Sequence, residues 1–158
     1  MYLHARKHVS KWDYSDDYKD KTISQEFQDL LPMDAPDVTK YGAFAGISVV
    51  YPAGYWRKAN AIHNFFVWEV GNGVDECQEM MVDRFVLAEL RHRCARILEA
   101  DDMEEMATEM GLETVSGFFF GNTEYDDWYK DDLLLTIEIC DHALSLPEEY
   151  SLTYQASW

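Results

Sequence analysis

The residues from Tyr55 to Phe66 read YWRKANAIHNFF and hold the densest set of ligand-binding chemistry in the chain. Arg57 carries a planar fork of donors that matches a phosphate or carboxylate. Asn60 and Asn64 each pair a donor with an acceptor on one amide. Trp56 offers a ring face for stacking, and His63 can hold or contact an anion. That combination suits a flat anionic molecule such as a nucleotide. At about 100° per residue, a helix from about Tyr55 to Val70 gathers Trp56, Arg57, Asn60, His63, Asn64 and Val67 on one arc. The adjoining core stripe is Tyr55, Ala59, Ile62, Phe66 and Val70, and Lys58 points away, close to Glu69. A structural reading competes with the ligand reading. In it, Trp56 and His63 are half-buried at the core boundary while Asn60 and Arg57 bond to neighbouring loops.

A second stretch, GFFFGNTEYDDWY from Gly117 to Tyr129, could complete such a site. Asn122 and Thr123 precede a predicted helix whose first amides can receive a phosphate oxygen. Glu124, Asp126 and Asp127 sit at the same terminus, where negative charge already complements the helix dipole, so capping alone explains them. The candidate ligand-binding set is therefore Trp56, Arg57, Asn60, His63, Asn64, Asn122 and Thr123.

Other chemistries find less footing. No GxGxxG or GxxxxGK[ST] loop is present, so no cofactor is expected, and no zinc pattern joins His4, His8, His92 and His142. Cys94 and Cys140 fall on helical core stripes, which leaves Cys77 as the plausible exposed thiol. No GxSxG or HExxH motif appears, and no catalytic residue is assigned. A small hydrolase or transferase using His63 as general base beside Asp126 or Asp127 is the remaining enzymatic reading.

The YWRKANAIH and GFFFGNTEYDDWY motifs, followed by an apolar helix, resemble a group of small uncharacterised proteins of tailed bacteriophages. The resemblance runs from about Tyr55 to Leu144. It implies an accessory protein acting in the cytoplasm of the bacterial host, where counter-defence and host takeover are the expected roles. Residues 1–40 and the acidic Asp101 to Met110 lie in the divergent parts.

The elements that must position these motifs follow from periodicity. Met1 to Ala5 alternates like a strand, and Ile23 to Leu31 reads as a short helix. Gly46 to Tyr51 alternates at Ile47, Val49 and Tyr51, with Pro52 and Gly54 expected to end it in a turn. Gly71-Asn72-Gly73 ends the motif helix. After a short strand at Met80 to Val82, Asp83 caps a helix with the stripe Leu87, Leu90, Cys94, Ile97 and Leu98. Asp101 to Met110 is a short acidic helix or loop ending near Gly111. Gly117 to Gly121 reads as a buried strand. Thr123 and Asp126 approximate a capping box for a helix with Tyr129, Leu133, Ile137, Cys140 and Leu144 on one face, stopped by Pro147. Tyr150 to Trp158 alternates as a strand with one buried face. The expected fold class is α+β, a single domain over residues 1–158 with about three main helices packed on a small sheet.

With 158 residues and 47% hydrophobic residues the chain can bury a core unaided. Its three cysteines lack CxxC spacing and follow no signal-peptide pattern, so a reduced cytosolic compartment is expected. No apolar run approaches membrane-spanning length. The net charge of −17 is concentrated toward the C-terminal part, since Lys130 is the only basic side chain after Arg96 apart from His142. Such a surface repels nucleic acid and favours a basic partner. The expected partner is thus a small anionic ligand or, alternatively, a basic host protein that the acidic surface inhibits.

Overall fold

A computed structural model describes residues 1–12, 23–31, 46–117 and 123–157. The fold is α+β, with four strands hydrogen-bonded in the order β2-β1-β4-β3. In chain order the elements are β1 (Tyr2–Ser10), α1 (Gln25–Asp29), β2 (Gly46–Tyr55), α2 (Asn60–Glu69), β3 (Met80–Val82), α3 (Arg84–Leu98), α4 (Met103–Met110), α5 (Asp127–Ser145) and β4 (Tyr150–Gln155). Contacts group the chain into two compact units, residues 1–5 with 51–158, and residues 6–50. In the smaller unit, the Ser24 hydroxyl caps α1 by accepting from the Phe27 amide, which seats the buried Phe27 ring. Lys7 pairs there with Glu26 at 2.7 Å.

The larger unit holds the main core. Helix α3 runs against α5, and the stripe read from sequence meets it: Leu87, Leu90, Cys94 and Ile97 are fully buried, as are Leu133 and Cys140. Burial in this apolar seam pushes the Cys140 thiol up to about 12 and raises Cys94 as well, so both stay protonated. Arg84, the first residue of α3, closes the other end of α5. Its guanidinium donates to the carbonyls of Ala143, Leu144, Pro147 and Tyr150, satisfying acceptors that the helix end leaves open. The α5 backbone stops at Leu146, which turns extended before Pro147 because the proline ring disfavours a helical residue ahead of it.

Helix α2 is the centre of this unit rather than a surface helix. Most of its side chains are buried, so apolar residues cover more than one stripe. Phe66 stacks on Tyr154 of β4 at 4.0 Å, and β4 in turn pairs antiparallel with β3, placing Tyr154 opposite Met80. Thr153 breaks the expected one-faced alternation of β4. It is buried too, with its hydroxyl donating to Glu79 at 2.8 Å.

The boundary between β2 and α2 departs from the sequence reading. Pro52 and Gly54 do not end the strand, which continues to Tyr55, and the helix begins only at Asn60. Two features permit this. In the given strand order β2 is an edge strand, where a missing proline N–H costs no ladder bond. Gly54 lies beneath the Ile139 side chain of α5, where any Cβ would collide. Tyr55 consequently leaves the core and is exposed, while Trp56 takes its place, fully buried. The start of α5 also moves: Asp126, not Thr123, is its N-cap, accepting from the amides of Trp128 and Tyr129. Of the buried strand expected at Gly117 to Gly121, Gly117 is exposed and lies in no strand, and residues 118–121 lie outside the described residues.

Truncating Phe66 to Ala should lower stability by about 3–5 kcal/mol, because the ring is fully enclosed and stacked. Chemical denaturation of the two proteins reads this directly, and an unchanged midpoint would contradict the central position of α2.

Candidate functional site

The residues singled out from YWRKANAIHNFF separate into an interior group and a surface group. Trp56 has no exposed face, and its indole N–H donates to the Thr136 hydroxyl of α5 at 2.9 Å. His63 is buried between two partners. Its Nε2 faces the Asp75 carboxylate at 3.2 Å, which can only accept, and its Nδ1 is hydrogen-bonded to the Tyr154 hydroxyl at 2.8 Å. Asn60 is buried as well and its side-chain oxygen accepts from the Val115 amide at 3.1 Å. Asn64 is half-buried on the same helix. Trp56, Asn60 and His63 thus hold the interior together. Stacking on Trp56 is closed to a ligand because the ring is already covered.

Arg57 goes the other way. Between the buried Trp56 and the buried Ala59, the chain must turn outward, and Lys58 does so in the left-handed region at φ 63°. An unbranched side chain there carries a backbone cost of about 1–2 kcal/mol that glycine would avoid. The expectation that Lys58 lies near Glu69 is corrected by this turn. Glu69 is instead held by Arg93 at 3.1 Å, and Lys58 joins Arg57 in lining a cavity of about 600 Å³.

The opposite wall of that cavity is the first half of α5. Trp128, Tyr129, Asp131, Asp132 and Leu135 line it, with Glu124 just before the helix. Spacing of three and four residues brings Trp128, Asp131, Asp132 and Leu135 onto one helical face, turned away from the α3 seam. Trp128 is 76% exposed. Among the described residues neither Arg57 nor Lys58 closes an ion pair with the three carboxylates across the cavity. Other arginines of the chain have structural partners: Arg91 with Asp141, and Arg93 with Glu69, Glu89 and the Met110 carbonyl.

Thr123 is exposed before α5, and its carbonyl accepts from the Thr114 hydroxyl at 2.8 Å. Asn122 lies outside the described residues. The amides of Trp128 and Tyr129, which an anion at this helix start would use, are taken by Asp126. No protein-family model, curated protein or solved structure matches the chain significantly. The geometry of the cavity is therefore the basis on which function is argued.

Sequence reasoning reached Arg57 but missed Trp128, Asp131, Asp132 and Leu135. The available signal was a second face on the α5 segment, carrying a tryptophan that the core stripe does not use. From sequence, Glu124, Asp126 and Asp127 read together as charges at a helix start; in the structure Asp126 is the N-cap and Glu124 lines the cavity.

Asp132 is the most perturbed carboxyl of the cavity. Burial, followed by the neighbouring charges of Asp131 and Asp126, pushes its carboxyl up to about 6. The folded protein then holds a proton that the unfolded chain, with an ordinary carboxylate near 4, has already released. Stability is accordingly lost as pH rises from about 4 through 6. Replacing Asp132 with Asn should stabilise the protein at pH 7.5 by about 1 kcal/mol, since solvent screens a carboxyl that is only partly buried, with the gain shrinking as pH falls toward about 4. Thermal melts of both proteins across this range check the sign, and a gain that grew on acidification would contradict it.

Proposed function

We propose that the protein is a non-catalytic binding protein for a small anionic, nucleotide-like ligand, held in the cavity between Arg57, Lys58 and the outer face of α5. The observation that carries this reading is the convergence of two cations, neither in an ion pair among the described residues, on a cavity lined by an exposed tryptophan. In a chain of net charge −17, two cations that share a cavity with three carboxylates and, among the described residues, pair with none of them leave room for a third party. Arg57 supplies a forked donor and Lys58 a point charge, while Trp128 replaces Trp56 as the stacking surface. The left-handed backbone at Lys58 supports the same reading, because local strain retained beside a cavity is a common mark of a working site.

Binding rather than reaction is favoured by what lines the space. The side chains there offer charge, acceptors and a ring, whereas the thiols of Cys94 and Cys140 lie in the α3–α5 seam with their protons held. The likeness to tailed-bacteriophage proteins adds the biological setting, an accessory protein acting on a host nucleotide or nucleotide-derived signal in counter-defence. The alternative, an acidic decoy presented by Asp101, Asp102, Glu104 and Glu105, has less behind it. Asp102 is the N-cap of α4, accepting from the Glu105 amide, and Glu104 and Glu105 complement its dipole.

Removing one charged hydrogen-bonding contact is worth about 1.5–3 kcal/mol, so Arg57→Ala should weaken nucleotide binding by roughly ten- to a hundredfold. Its melting curve should stay within about 0.5 kcal/mol of the parent, since the side chain is exposed and packs no core. Lys58→Gly separates the two roles more sharply. It should keep or raise stability by up to about 1 kcal/mol through relief of the left-handed strain while binding falls. Calorimetric titration with a nucleotide panel beside thermal melts reads both. A destabilised Lys58→Gly with unchanged binding would reverse the assignment.

A further inference from the structure

The charge inventory of the cavity narrows what can occupy it. Arg57 and Lys58 contribute two positive charges, and Glu124, Asp131 and Asp132 contribute three carboxylates. A ligand that is anionic throughout would satisfy the first pair and be repelled by the second group. The complement must be two-ended, with an anion for the cations and N–H donors for the carboxylates. The exposed ring of Trp128, with Leu135 on the same face, adds a requirement for a flat, weakly polar middle.

Building on the nucleotide-like reading above, we propose that the ligand is a guanine nucleotide bearing a single phosphate group. The discrimination rests on the two kinds of charged group that line the cavity and on the two ends of the ligand that would answer them. A carboxylate presents two acceptor oxygens side by side and no donor. Guanine answers with two adjacent donors, its ring N1–H and its 2-amino group, so both oxygens are used at once. Adenine sets its amino group beside a bare ring nitrogen, and that lone pair would face the second oxygen. The burial of Asp132, with the neighbouring charges of Asp131 and Asp126, strengthens the demand, because a partly desolvated carboxylate beside like charges benefits most from paired donors. At the other end, two cations match the charge of one phosphate group. A triphosphate would carry more negative charge than Arg57 and Lys58 offset, beside three carboxylates.

The test is calorimetric titration of the whole protein at pH 7.5 with GMP, IMP, AMP and GTP in the absence of divalent metal. GMP should bind about tenfold or more tightly than AMP, and IMP, which lacks the 2-amino donor, should fall well below GMP. GTP should bind no better than GMP. Glu124→Gln, Asp131→Asn and Asp132→Asn, each checked by melting, are expected to include at least one variant in which the GMP preference collapses while AMP binding persists. AMP and GMP binding equally, with Arg57→Ala weakening both, would overturn the guanine assignment and leave the anion site standing. GTP binding more tightly than GMP would overturn the single-phosphate assignment. No nucleotide binding by the folded parent would overturn the nucleotide reading as well.

Discussion

A single buried hydrogen bond, from the Trp56 indole to the Thr136 hydroxyl, ties the end of β2 to the middle of α5, residues eighty positions apart in the chain. A tryptophan in an interior needs a partner for its N–H, and an orphaned one costs about 1–3 kcal/mol. Thr136 can accept because its own proton is donated back to the Asp132 carbonyl one turn earlier on α5. Around this anchor Trp56 leans on Phe66 and Tyr154, so strand, central helix and the last strand meet at one ring. The same anchor sets the position of everything next to it. With Trp56 fixed inward, Arg57 and Lys58 line the same cavity as the α5 face that begins at Trp128, about two turns before Thr136.

The distribution of positive charge follows a comparable logic. In so acidic a chain a basic side chain finds a carboxylate easily, and Arg91 and Arg93 do so while bridging helices. Such exposed pairs contribute little energy individually, about 0–1 kcal/mol, and their value lies in fixing which helix faces which. Arg57 and Lys58 stand apart, since among the described residues neither closes an ion pair with the carboxylates that line the same cavity. Geometry rather than composition keeps them available.

How far this was legible in the sequence depends on the range of the contacts involved. The α3 and α5 segments carry long apolar stripes at helical spacing, and Leu87, Leu90, Cys94, Ile97, Leu133 and Cys140 are buried as that spacing predicts. Asp83 and Gly111 were readable for the same reason, since cap chemistry is local. The β2–α2 boundary was not readable. Pro52 and Gly54 look like punctuation until the strand is known to lie at a sheet edge beneath Ile139, and both facts are tertiary. The candidate site suffered from that same error. A helix drawn from Tyr55 puts Trp56 and Arg57 on one face, whereas a strand and a left-handed turn send them to opposite sides. What survives of the sequence reading at the site is Arg57, and its companions come from a helix some seventy residues away.

The Arg84 guanidinium has a consequence for how this unit opens. By donating at once to the end of α5, the turn at Pro147 and the first residue of β4, it makes the start of α3 a common lock for three successive stretches of chain. Fraying normally begins at helix ends and terminal strands, which exchange their amide hydrogens first. Here the last turn of α5 and the strand β4 share one fastener, and β4 carries Tyr154, the stacking partner of Phe66. Helix end, turn and strand are accordingly coupled through Arg84, so that they open together as a single cooperative piece.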